Sequence, residues 1–132
     1  MLFRSETVWI YSYSGTASAT LKPIVSSVTT TLTRGHSYTV SGKQLAGISS
    51  GAAYGDDAQA GTNFPLVRIV NNKTHHVFYA KTSGFTSRAV KPKAASSASF
   101  LVPAAGKIET GPSQLFVVAN GAASKAVAVT IN

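Results

Sequence analysis

Apolar and polar residues alternate along most of this chain with a period of two, and no stretch carries a convincing helical period. The pattern predicts short strands divided by turns. Val8, Trp9, Ile10 and Tyr11 form a first β-rich run, followed by a Ser-Gly-Thr-Ala-Ser linker at 14–18. Pro23 opens a second run through Val28 that continues into threonines 29–31, good strand residues. Arg34-Gly35 turns the chain into 37–41, where Tyr38 and Val40 share a face. Gly42 and Gly47 bracket a short Gln44-Leu45 segment. Residues 48–63, rich in Gly, Ala, Ser and Asp, are the least strand-like, and 51–60 is the one place where a helical turn could sit.

Beyond Pro65 the strand signals strengthen. Residues 66–70, a turn at Asn71, Asn72, Lys73 and Thr74, and residues 75–81 read together as a hairpin with a four-residue loop. Both arms are apolar on both faces, as for central strands covered on each side. A short strand is expected at 86–90, closed by Lys91-Pro92-Lys93. Residues 97–102 alternate cleanly with Ala98, Phe100 and Val102 inward. Residues 114–119 are a buried run ended by Asn120-Gly121, and 126–131 make a last strand. Roughly eight to ten short strands at about ten-residue spacing favour a sandwich or barrel. The expectation is an all-β fold: an immunoglobulin-like antiparallel β-sandwich over 23–132, with an extra N-terminal strand and linker over 1–22.

At 132 residues the chain has room for one domain and one core. Charged residues make up only 12%, about half the usual share, and Ser, Thr, Ala and Gly stand in their place. Such a surface is common in exported or cell-surface β proteins, although 1–9 lack the basic start and long apolar run of a signal peptide. With no cysteine, disulfides, thiolate nucleophiles and Cys-ligated zinc are excluded. The net charge of +8 raises the question of an anionic partner. The cations are spread along the chain, and only Arg88, Lys91 and Lys93 sit close together. They define a basic edge, whose commoner purpose is to keep an edge strand soluble. Nucleic-acid readers add aromatic platforms to such an edge, and the aromatics here mostly alternate inward, so nucleic acid is disfavoured.

Several constellations invite chemistry. Gly47-Ile48-Ser49-Ser50-Gly51 matches the nucleophile-elbow pattern, but that elbow needs a strand-to-helix turn in an α/β sheet, which this chain lacks. His75 and His76 are candidate metal ligands, yet neighbours on a regular strand point to opposite faces. Asp56 and Asp57, with Gln59 and Asn63 nearby, could offer oxygens to calcium. They read first as Asx side chains holding the long loop, since the usual calcium-loop spacing is missing. The expectation is therefore no resident metal and no cofactor, with Asp56, Asp57, His75 and His76 as weak candidates. Tyr54, Arg88, Lys91 and Lys93 are the candidate binding surface.

One longer signal remains. The block Gly51-Ala-Ala-Tyr-Gly-Asp-Asp-Ala-Gln59 precedes Thr62-Asn-Phe-Pro-Leu-Val-Arg-Ile69. His76-Val-Phe-Tyr79, Ile108-Glu-Thr-Gly111 and Ser113-Gln-Leu-Phe-Val-Val-Ala-Asn-Gly121 follow. Together these resemble the C-terminal domain of bacterial kelch-repeat, galactose-oxidase-like proteins, over about residues 7–131. The resemblance implies an early-set immunoglobulin-like sandwich of the kind that follows a β-propeller, with 8–11 as the closing propeller strand. In the copper-radical oxidases of that group a tail-domain loop brings one histidine to the copper; His75 and His76 are the nearest positions here, but the flanking motif differs. The functional expectation is a non-catalytic binding or structural module with a protein or polysaccharide partner. Two alternatives stay open: an accessory subunit of a copper-oxidase-like enzyme, and a basic adaptor for nucleic acid or anionic polysaccharide.

Overall fold

The structure is a computed structural model, and it describes residues 19–48 and 64–132. A 3-10 turn, Ala19–Leu21, leads into β1 (Ile24–Val28), β2 (Thr31–Leu32) and β3 (Ser37–Lys43). After the long connection come β4 (Leu66–Asn71), β5 (Val77–Ser83), β6 (Ala95–Leu101), β7 (Gly111–Ala119), β8 (Ala122–Ala123) and β9 (Val127–Ile131). Every described regular element except the opening turn is a strand, so the fold is all-β. The expected strand at 8–11 and the expected helical turn at 51–60 lie outside the described residues.

Hydrogen bonding orders the strands β1-β3-β6-β5-β4-β7-β9-β2, with β8 paired to β7. Every pairing is antiparallel except the parallel β2–β9 contact. β5 joins the two halves of this path. Its first part, from Val77 to Lys81, pairs with β4, and Thr82 and Ser83 pair with β6. The Thr82 hydroxyl donates to the Pro65 carbonyl where the strand changes partner. The sheet therefore curls and turns its inward side chains onto one core. Val40, Ala98 and Phe100 from β3 and β6 meet Val67, Ile69, Leu115, Val117, Val129 and Ile131 from the other half.

Period-two alternation explains which residues go inward. Ala98, Phe100 and Val102 are buried as expected, and so is Val40, with Tyr38 half-buried beside it. The β4–β5 hairpin departs from expectation. Its inward residues Val67, Ile69 and Ala80 are buried, but the opposite face is open, with Val77 49% and Tyr79 56% exposed. Both faces were expected to be covered; among the described residues only one side of this pair meets the rest of the fold. A second correction concerns 86–90, which forms no strand. That segment is tied to β6 at one point, where the Thr86 amide donates to the Ser97 carbonyl and the Thr86 hydroxyl oxygen accepts from the Ser97 amide.

Two positions show how tightly the ladder is specified. At Gly42 a Cβ would run into the Ile24 carbonyl oxygen and lie 3.1 Å from the Leu45 side chain, beside the β1 bulge between Val25 and Ser27. At the end of β7, Asn120 (φ 48°) and Gly121 (φ 76°) make the two-residue left-handed turn into β8 that Asn-Gly favours. The chain ends pinned: the Asn132 amide donates to the Leu32 carbonyl, and the Arg34 amide donates to Asn132 O.

Candidate functional site

The hairpin turn sets the geometry of the histidines. Asn71 is buried at the end of β4, and its Oδ1 accepts from the Lys73 and Thr74 amides at 2.8 and 3.1 Å, while its Nδ2 donates to the Thr110 carbonyl at 3.2 Å. This Asx arrangement forces the chain through a left-handed residue, His75 (φ 60°), and delays β5 until Val77. Both histidines therefore belong to the turn, and the opposite-faces argument based on a regular strand does not apply to them.

His76 Nδ1 donates to Glu109 Oε1 at 2.7 Å, and the Thr74 hydroxyl donates to Glu109 Oε2. The Thr74 hydrogen bond, then that from His76, holds the Glu109 carboxyl below the usual carboxylate range. The group borders an open cavity of about 540 Å³ shared with Arg34 and Lys107. Its chemistry is limited by its order. The hydroxyl bonds the carboxylate, not the imidazole, so the histidine is not placed to take the hydroxyl proton as a nucleophile's base must. Among the described residues, no three His, Asp or Glu side chains converge as metal ligands. Asp56, Asp57 and Tyr54, with the serine of the elbow-like pattern, lie outside the described residues.

The basic candidates are brought to a more distinctive place. Phe64, just before β4, and Phe85, just after β5, pack edge to face with centroids 5.7 Å apart and planes at 64°. Phe85 rests against the core, whereas Phe64 is half exposed. The Arg88 guanidinium lies over both rings, 5.6 Å from the Phe64 centroid and 5.7 Å from that of Phe85. Lys91 and Lys93 follow in the same connection, both exposed. The aromatics were expected to alternate inward. Phe64 does not, and with Phe85 it gives this basic edge the aromatic companions that sequence alone withheld from it.

Gln44 fixes the turn that presents the lysines. It is buried, with a left-handed backbone (φ 50°), and its Nε2 donates to the Thr20 and Lys22 carbonyls at 2.9 and 2.8 Å. Its Oε1 accepts from the Lys93 amide at 3.0 Å, and its own amide donates to the Ala94 carbonyl. Sequence reading passed over this residue; its one signal was a polar amide between the bracketing glycines 42 and 47.

The charge balance of this surface is uneven. Glu109 is the one carboxylate side chain among the described residues, and it is engaged by Thr74 and His76. Every lysine and arginine except Arg4 falls within the same residues, and none of them pairs there with a carboxylate side chain. Comparison with protein-family models finds no match, and a search of curated proteins finds no significant relative.

Proposed function

We propose that the protein is a non-catalytic binding module that grips an anionic polysaccharide at the Phe64–Phe85–Arg88 corner. The observation that carries this reading is the Arg88 guanidinium, held on two aromatic rings with Lys91 and Lys93 beside it and no acidic side chain among the described residues to neutralise it. Flat rings offer apolar area to sugar faces, while the fixed cation recognises a sulfate or carboxylate. The strand order, with a parallel final contact and a strand that changes partner, supports an immunoglobulin-like sandwich. It is compatible with the resemblance to the tail domain of kelch-type oxidase-like proteins. A rigid β scaffold presenting a connection at its rim is a common platform for recognition.

Isothermal titration with heparin and with polygalacturonate, against neutral dextran, tests the reading. Binding to one of the two polyanions, weakened at least tenfold in Arg88→Ala, supports it. Equal affinity for dextran, or preferential binding to duplex DNA, contradicts it.

A second reading draws on a separate observation. His76 is largely exposed with Nδ1 engaged by Glu109, an arrangement that orients the imidazole and turns Nε2 outward, as where a carboxylate steadies a metal-binding histidine from behind. An accessory subunit donating that histidine to copper held by another chain would use it. Copper titration of the protein and of His76→Ala separates the two, since the binding-module reading expects no difference between them.

A further inference from the structure

The outward side of β4, β5 and β7 holds a second, independent feature. Register places Tyr79 of β5, Arg68 of β4 and Phe116 of β7 in one cross-strand row. Leu66 and Val118 flank the row on one side, with Lys81 at the margin, and Val70 and Val77 on the other, with Gln114 at the margin. Tyr79, Val77 and Leu66 are 56%, 49% and 38% exposed, so the face is apolar and open. In its centre the Arg68 guanidinium stacks on the Phe116 ring at 4.5 Å, while its Nε is buried and meets no hydrogen-bond acceptor.

A buried donor without an acceptor is uncommon, because water is lost and nothing replaces it. Here it belongs to a cation that no carboxylate side chain of the described residues approaches. We propose that this face docks a separate polypeptide carrying an aspartate or glutamate within an apolar surface, its carboxylate received by Arg68. The apolar flanks call for an apolar counterpart, which a free small anion does not supply. A sugar is disfavoured as the occupant because the flanking side chains Leu66, Val70, Val77 and Val118 are aliphatic and match an apolar counterpart better than hydroxyls. A second copy packed face to face is disfavoured too, since it would bring Arg68 and Lys81 against their own kind and offers no free carboxylate from the described residues.

The test uses the full chain, labelled with 15N, and a capped peptide of alternating leucine and glutamate, compared with its leucine–glutamine counterpart. The glutamate peptide is expected to shift the Arg68 Nε–H resonance and the amides of 66–70, 77–79 and 116–118, with at least fivefold tighter binding than the glutamine peptide. Arg68→Gln should abolish that preference and Tyr79→Ser should weaken both peptides, whereas Arg88→Gln should leave the preference intact. Equal binding of the two peptides, no shift at millimolar peptide, or shifts centred on Arg88 would overturn the proposal. So would concentration-dependent self-association through this face in sedimentation, which would make a second copy its occupant.

Discussion

The two faces of β4 meet opposite surroundings. Inward, Val67 and Ile69 are packed at 0% and 1% exposure, and Asn71 closes the row by holding the hairpin turn. Outward, Leu66, Arg68 and Val70 continue the same strand but meet no second layer among the described residues. One strand thus carries the stabilising burial on one side and an uncovered, partly cationic surface on the other. Hydrophobic residues alone therefore do not identify a core; what lies across from them decides whether they stabilise the fold or remain available to a partner.

That contrast can be broken or sharpened by substitution. The largest expected effect is Ile69→Ala, which leaves a cavity in the shared core and should cost about 2–5 kcal/mol, read as a lower urea midpoint. Next comes Gln44→Met. It strips partners from the Thr20 and Lys22 carbonyls and the Lys93 amide. The expected loss is about 1–3 kcal/mol, together with faster amide exchange at Lys93. Tyr79→Ser, on the uncovered face, should move stability by no more than about 0.5 kcal/mol in the same urea assay. A loss comparable to that of Ile69→Ala would show that the outward face is covered after all.

The smallest effect concerns Glu109. Its carboxyl is held below the usual range in the folded protein, so its contribution is fully present above the ordinary carboxylate pKa and fades as pH falls through the lowered value. Amide protection over 104–110, taken relative to the intrinsic exchange rate at each pH, should therefore fall as the pH drops through the lowered carboxyl pKa. In Glu109→Gln this pH dependence should vanish. Persistence of the acid response in that variant would assign it to another group.

Much of the fold was legible because period-two alternation is a local property. The arms of the hairpin, the inward trio Ala98, Phe100 and Val102, and the Asn120-Gly121 turn follow from residue type and spacing. The errors came where tertiary context decided. The run at 86–90 has strand-like residues, yet the connection holding Phe85 and Arg88 bonds to β6 only at Thr86. His75 looked like the start of a strand until the Asn71 side chain claimed the amides of Lys73 and Thr74. Arg88, Lys91 and Lys93 could be chosen from the sequence as a basic cluster. Their aromatic companion Phe64 could not, because it lies 24 positions before Arg88 and is brought there by the β4–β5 pairing. Glu109 was overlooked for the same reason: its partners Thr74 and His76 sit in a hairpin turn far from it in sequence.

The central claim is that the Arg88 corner receives a polyanion. It is tested most directly by the salt dependence of heparin affinity for the wild type and for the triple variant Arg88→Gln, Lys91→Gln, Lys93→Gln. The account expects the wild-type affinity to fall steeply with added salt, as screening weakens the exposed cations, and the triple variant to bind weakly with a much flatter dependence. Indistinguishable slopes and affinities for the two proteins would contradict it.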